Sequence, residues 1–263
     1  MTYDWQQTLE AQPGSRQWFE EIDKRFLESA YYANDRDGNP FGKFLISRDV
    51  QGKDVLEIGC GMGTHAGLLA KAGARLTAVD LTSRAVETTS RRFETFGLAG
   101  KIQIADAEHL QFPDQSFDMV WSWGVIHHSS SMETCLSEIY RVLRPGGRLL
   151  LMVYNRQSIV YYFINGFIRG ILMGKLLHQS LQQIYTESSD GFYARVLSKN
   201  EMEGMLGRGY SNIETDTVGL KAELVPIPRF FLKEALERMI PDRIASLVLG
   251  RWGSMLVVRA RKD

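Results

Sequence analysis

The run Val55-Leu56-Glu57-Ile58-Gly59-Cys60-Gly61-Met62-Gly63, followed seventeen residues after its last glycine by Asp80, restricts this chain to few folds. An apolar strand stops in a glycine-rich turn, a helix follows, and a second strand, closing on Ala78-Val79-Asp80, ends in an acid. That arrangement lets a backbone loop approach an adenosine-containing cofactor while the acid accepts hydrogen bonds from ribose hydroxyls.

The turn narrows the choice. A dinucleotide fold binds pyrophosphate at a helix N-terminus and reads GxGxxG. Here the turn is Gly59-Cys60-Gly61-Met62-Gly63-Thr64, with glycine at every second position and Glu57 just before it. This spacing resembles the first motif of class I S-adenosylmethionine-dependent methyltransferases. Three further stretches extend the resemblance: Ile102-Gln103-Ile104-Ala105-Asp106-Ala107, a third strand ending in an acid; Phe112-Pro113-Asp114-Gln115-Ser116-Phe117-Asp118, leading into a fourth; and Leu143-Arg144-Pro145-Gly146-Gly147-Arg148, the turn between a helix and a fifth. The likeness is dense over residues 52–154 and weaker from residue 198. It implies S-adenosyl-L-methionine as cofactor, with Glu57, Gly59, Gly61 and Gly63 beside its methionine part, Asp80 on the ribose and Leu81 against the adenine. Asp106, with Ala107, is implied beside the adenine amino group, and Ser122 among the cofactor contacts.

Charge and cysteine usage exclude other classes. Among 263 residues, 31 basic and 31 acidic side chains cancel, so no global field recruits nucleic acid or an anionic surface, and no nucleic-acid partner is expected. Two cysteines, Cys60 and Cys135, show no zinc spacing and suit a reduced, cytoplasmic setting. Residues 1–5 show no positive region followed by an apolar core, so no secretory signal is expected.

Alternating strand and helix patterns predict an α/β fold: a doubly wound, seven-stranded, mainly parallel sheet of Rossmann-like methyltransferase type with lid insertions at the carboxyl edge. Strands are expected over residues 54–58 and 75–80, around Ile104, Val120 and Leu151, over 211–218 and over 255–261. Ser198-Lys199-Asn200-Glu201 reads as a capping box opening a helix. The expected organisation is an N-terminal helical lid segment (1–48), a cofactor-binding core (49–155), a lid insertion (156–197), and a C-terminal part of the sheet (198–263) holding a second insertion at about 219–253. Ligands of open α/β sheets bind beyond the carboxyl ends of the strands, and both insertions leave from that edge.

Residues 159–177 are almost uninterruptedly apolar. A membrane crossing there would separate the last two strands from their sheet, so no transmembrane segment is expected. Read as a helix, Ile164, Phe167, Ile168, Ile171 and Leu172 share one arc and Asn165, Gly166, Arg169, Gly170 and Gly174 the other. The expectation is a lid helix packed on the core; an apolar substrate tunnel and a weak membrane-surface contact stand beside it.

Chemistry belongs after the fourth strand, at Trp121-Ser122-Trp123-Gly124-Val125-Ile126-His127-His128. Methyl transfer from a sulfonium requires alignment of the acceptor, exclusion of water and, for a protonated acceptor, a base. His127 and His128 are the candidate catalytic residues, since imidazole titrates near neutrality; in the family such a pair also occurs with one ring merely packing by the cofactor. Tyr31, Tyr32, Tyr161, Tyr162 and Tyr193 are candidates for lining a pocket. Adjacent histidines lack the spacing of a helical chelating pair, so no metal is expected. The reading is a methyltransferase for a small apolar or amphiphilic metabolite, acting on oxygen with a histidine base. Methylation of a glycan or nucleotide-linked sugar, and a non-catalytic S-adenosylmethionine-binding regulator, remain as alternatives; the sequence does not set the oligomeric state.

Overall fold

The computed structural model describes residues 11–44, 47–189, 193–226 and 231–263; residues 1–5, read above for a leader, lie outside them. Eight strands form one sheet: β1 (Asp54–Ile58), β2 (Arg75–Asp80), β3 (Lys101–Ile104), β4 (Phe117–Trp123), β5 (Leu143–Asn155), β6 (Val196–Leu197), β7 (Tyr210–Val218) and β8 (Met255–Lys262). The order is β3-β2-β1-β4-β5-β8-β7, with β6 added beside the end of β5. All pairings are parallel except those of β8, which runs against both β5 and β7.

Side-chain alternation explains why the strands read as unbroken apolar runs. Val55, Ala78, Trp121, Leu150, Met152 and Val257 pack in one cluster, while Leu56, Ile58, Val120, Leu149, Leu151 and Val258 pack in the other. Successive residues of a strand face opposite sides, so the two clusters are the two faces of the sheet, both buried. Helices α2 (Thr64–Lys71) and α3 (Ser83–Phe96), preceded in the chain by α1 (Arg16–Ser29), send Ala66, Leu69 and Phe93 into the first cluster. Helices α4 (Met132–Val142), α5 (Leu181–Ser188) and α6 (Lys199–Leu206) follow, and α4 and α6 cover the second face through Met132, Leu136, Ile139, Met202 and Leu206. Helices α7 (Phe231–Met239) and α8 (Asp242–Trp252) complete the chain before β8.

The expected seven strands are present, with two differences. The two-residue β6, pairing with Tyr154 and Asn155, is too short to carry any periodic signal. The Pro145-Gly146-Gly147 turn lies inside β5 rather than before it: Leu143 pairs with Phe117, Arg148 pairs with Met119, and the residues between them bulge, with Gly146 at φ 72°.

A third difference concerns residues 159–177. Val160–Leu172 is a π-helix rather than the expected α-helix. Bonds from residue i to i+5 widen the turn, so residues four and five apart share a face. The buried residues are accordingly Tyr161, Asn165 and Gly170. Asn165 Nδ2 donates to the Val160 carbonyl (2.8 Å) and its Oδ1 accepts from Ser188 Oγ of α5 (2.8 Å). Gly170 admits Leu176, which a Cβ there would meet at 2.7 Å. Asn165 and Gly170 of the polar arc therefore pack inward, and Phe167, Ile171 and Leu172 of the expected core-facing arc stand exposed.

The second insertion is closed by a buried carboxylate. Glu223 Oε1 accepts from Leu220 N (2.7 Å) and Ser254 Oγ (2.7 Å), and its Oε2 accepts from Ser254 N (2.9 Å). One side chain thus ties the chain leaving β7 to the chain entering β8. Burial, only partly offset by these bonds, raises its pKa from 4.5 to about 7. The unfolded carboxyl loses its proton first, so rising pH across that window favours unfolding and the loss is complete above it. Denaturant titrations are expected to show stability falling from about pH 5 to about pH 7 in the native chain, with that slope missing in Glu223→Gln; equal slopes would contradict the assignment.

Candidate active site

The glycine turn is fastened to the strand beside it. Gly59 N and Cys60 N both donate to the Val79 carbonyl (2.7 and 3.0 Å), and Gly63 N donates back to Cys60 O (2.8 Å). Gly59, Gly61 and Gly63 hold φ of 82°, 52° and 78°, a region that side chains disfavour. At Gly59 a Cβ would also collide with Val125 Cγ2, so the turn is pressed against the loop after β4. At Gly61 a Cβ would meet nothing within 4 Å, which leaves that face of the turn open to a ligand.

Behind the turn, α3 captures its carbonyls. Arg92 Nε donates to Met62 O (2.7 Å), and Thr89 Oγ1 donates to Gly61 O (3.1 Å). Arg92 is buried and pairs through Nη1 with Asp23 Oδ2 of α1 (2.7 Å), whose Oδ1 accepts from Thr64 Oγ1 (2.8 Å). The guanidinium is thereby committed to α1 and the turn. Nothing in the spacing of the sequence distinguished Asp23, Thr89 or Arg92 from ordinary helix residues. His65 was missed as well. Its ring is buried among Phe26, Phe41, Trp121 and Trp123, and its Nδ1 accepts from Trp121 Nε1 (2.9 Å). Desolvation lowers its pKa to about 3, so the ring is neutral.

The remaining candidates line up along the carboxyl ends of β3, β2, β1 and β4. Asp80 Oδ2 accepts from Gly61 N (3.1 Å) and its Oδ1 from Thr82 N and Oγ1 (3.0 and 2.9 Å), so the acid is already held across the turn. Leu81 beside it is 70% exposed, an apolar surface of the kind a purine ring covers. Asp106 accepts from Glu108 N (2.9 Å), and Ala107 packs at the rim of the core. Glu57 is buried with Oε2 unpartnered, and its pKa is driven well up by burial and by Asp80. Ser122, paired in register with Ile58, is buried with Oγ unpartnered. A buried polar atom without a partner costs about 1–3 kcal/mol, and two of them flank this turn.

The two histidines follow on the short turn Ile126–His128. His127 is fully buried, its ring 4.2 Å from those of both His128 and Tyr154, and neither nitrogen has a protein partner among the described residues. Burial and the neighbouring His128 hold its pKa well below the ordinary value. His128 is half-buried, with Nδ1 3.1 Å from the Tyr193 carbonyl. A carbonyl only accepts, so Nδ1 carries the proton and Nε2 of the neutral ring keeps its lone pair. Tyr161 packs on Tyr185, which lies against Tyr154, whereas Tyr162 and Tyr193 are exposed. Among the described residues, no group of three His, Cys, Asp or Glu side chains is placed to hold a metal. Burial pushes the Cys60 thiol up to about 12, which leaves it unreactive.

The donor set fits one kind of cofactor. Asp80 and Asp106 make the crevice acidic, burial pushes Glu57 toward its neutral form, and the Arg92 guanidinium is bound to Asp23 and the turn; pyrophosphate would be repelled, while a ligand with a ribose and positive charge is favoured. Fold and site together define a Rossmann-like domain for a cationic adenosyl cofactor. Residues 56–151 match the family model described as a methyltransferase domain, and the chain carries a class I S-adenosylmethionine-dependent methyltransferase domain, with S-adenosylmethionine as its cofactor. It is 41% identical over 104 residues to a fatty-acid O-methyltransferase of Mycolicibacterium smegmatis, covering 39% of this chain and 37% of that protein. It is 28% identical over 148 residues to a demethylmenaquinone methyltransferase of Tropheryma whipplei, covering 54% of this chain and 61% of that protein. The chain thus spans less than two thirds of the length of these curated relatives. In fold it is similar to an S-adenosylmethionine-dependent methyltransferase of Thermotoga maritima, with TM-score 0.57 and 20% identity, over 94% of this chain and 93% of that one.

Each charge-assisted hydrogen bond is worth about 1.5–3 kcal/mol, and each 1.4 kcal/mol is about tenfold in affinity. Asp80→Asn is therefore expected to weaken S-adenosylmethionine binding about tenfold or more by calorimetry; an unchanged affinity would place the ribose elsewhere.

Proposed function

We propose that this chain transfers the methyl group of S-adenosylmethionine to oxygen of a small apolar or amphiphilic acceptor, with His128 as base and His127 shaping the floor beside it. The observation that carries the proposal is the fixed tautomer of His128: Nδ1 anchored on the Tyr193 carbonyl, Nε2 left as acceptor, five residues beyond the end of a strand that borders the glycine turn. The cofactor supplies an electrophilic methyl group. Asp80 and Asp106 favour its positive charge by field, Glu57 offers a buried carboxyl beside it, and the positive φ of Gly61 lets the backbone come close. His128 Nε2 receives the acceptor's proton, and its neighbour contributes no competing positive charge, because burial keeps His127 neutral. The aromatic floor of Tyr154, Tyr161 and Tyr185 excludes water and suits an apolar acceptor.

The same reading assigns residues 156–197 and 219–253, with the N-terminal helix, to a cover over the crevice, and residues 49–155 to cofactor binding. The relatives named as fatty-acid O-methyltransferase and, in Erwinia billingiae, malonyl-[acyl-carrier protein] O-methyltransferase support an acyl or similarly amphiphilic acceptor.

In a screen of fatty acids and hydroquinones, the native chain is expected to methylate an acceptor. With a hydroquinone as acceptor, His128→Ala is expected to bind S-adenosylmethionine normally but turn over about a hundredfold more slowly at neutral pH, with part of the loss recovered at high pH where the phenol ionises by itself; a fatty-acid carboxylate, ionised already at neutral pH, is expected to lose little. Native hydroquinone turnover in the variant would reduce the histidine to a packing role.

A further inference from the structure

The widened turn of the π-helix gives the chain a surface of unusual composition. Tyr162, Phe163, Phe167, Ile171, Leu172 and Met173 all stand exposed on it, and Leu176 and Leu177 continue the surface. Leu172, Met173 and Leu177 are 67, 65 and 81% exposed. Contiguous apolar surface of this extent marks a site of interaction. It continues toward α8 across a cleft of about 670 Å³ lined by Ile159, Tyr162, Phe163, Lys199, Arg251 and Trp252. Beyond the cleft α8 exposes Ile244, Leu247 and Trp252.

Charge on this surface is mainly positive. Residues 157–186 contain Arg169 and Lys175 and no carboxylate. The first acid, Glu187, is paired with Lys175 at 2.8 Å. Across the cleft, Arg251 lies over the Trp252 ring at 5.4 Å. Asp242, at the start of α8, is paired with Lys221. A second copy of the chain docking by two-fold symmetry would set this patch, cations included, against itself. No described helix is long and apolar enough to cross a membrane. Aromatic and aliphatic side chains projecting from a helical segment whose flanks carry cations, and which lies on the surface rather than spanning, are the signature of docking on a bilayer interface.

We propose that the exposed face of the π-helix, with the adjoining end of α8, docks on the surface of a bilayer containing anionic phospholipid. The apolar side chains enter the acyl boundary while Arg169 and Arg251 meet the headgroups, Lys175 staying paired with Glu187. The insertion carrying this face leaves the carboxyl end of β5, so docking turns the catalytic edge of the sheet toward the lipid. Docking is read from surface side chains alone and stands apart from the methyl-transfer reading.

The test is co-sedimentation of the full chain with vesicles of phosphatidylcholine, with and without phosphatidylglycerol, beside the double variant Leu172→Asp, Leu177→Asp. Both positions are exposed, so the variant is expected to keep the native melting temperature. The native chain is expected to sediment with phosphatidylglycerol vesicles, less at high salt, and the variant to bind about tenfold more weakly or worse. No binding by the native chain, or equal binding by the variant, would overturn the proposal. A dimer in light scattering that the variant dissolves, without vesicle binding, would assign the face to a second copy instead.

Discussion

The site depends on how the Gly59–Gly63 turn is held. Its first two amides are spent on the Val79 carbonyl, and its Gly61 and Met62 carbonyls are spent on Thr89 and Arg92. With those groups satisfied on the protein side, the face at Gly61 is left open. The clamp is shared: Arg92 reaches α1 through Asp23, and Asp23 reaches back to Thr64 at the start of α2. An N-terminal helix is thus coupled to a loop between the first strand and its helix. Removing Asp23 leaves the buried Arg92 guanidinium without its carboxylate, and an uncompensated buried charge is strongly destabilising, so the turn and α1 are coupled.

Electrostatics then selects what the open face receives. Asp80 and Asp106 lie along the edge, Glu57 beside them is pushed toward its neutral form by burial, and the Arg92 guanidinium is neutralised by Asp23. His65 and His127, both driven neutral by burial, add no charge from within. The edge is negative at Asp80 and Asp106 and neutral at the aromatic cluster around His127 and Tyr154.

Much of this was legible in the sequence because the sheet is buried on both faces. β1 and β2 keep the boundaries read from their apolar runs, since glycine and a terminal acid punctuate both. The capping box at Ser198 and Glu201 forms as written. What stayed hidden has physical reasons. A buried Arg92 on a helix has the same spacing as a solvated one, and Glu223 acts across thirty-one residues of chain. Residues 160–172 obey a helical period, but hydrogen bonding one residue longer rotates the face, so Phe167, Ile171 and Leu172 of the arc expected inside stand outside. His65 lies in the first turn of α2 with nothing in its spacing to mark it, and only the fold places Trp121 against it. The histidine pair was legible as a candidate, but the bond that fixes the tautomer of His128 comes from Tyr193, sixty-five residues away.

A crystal structure of the chain with S-adenosylhomocysteine tests the central claim most directly. The account predicts the homocysteine part against the open face of Gly61, the ribose hydroxyls on Asp80, the adenine on Leu81, and the side of sulfur that would carry the methyl group facing His128. A ligand bound away from the turn, or a sulfur facing away from both His127 and His128, would contradict it.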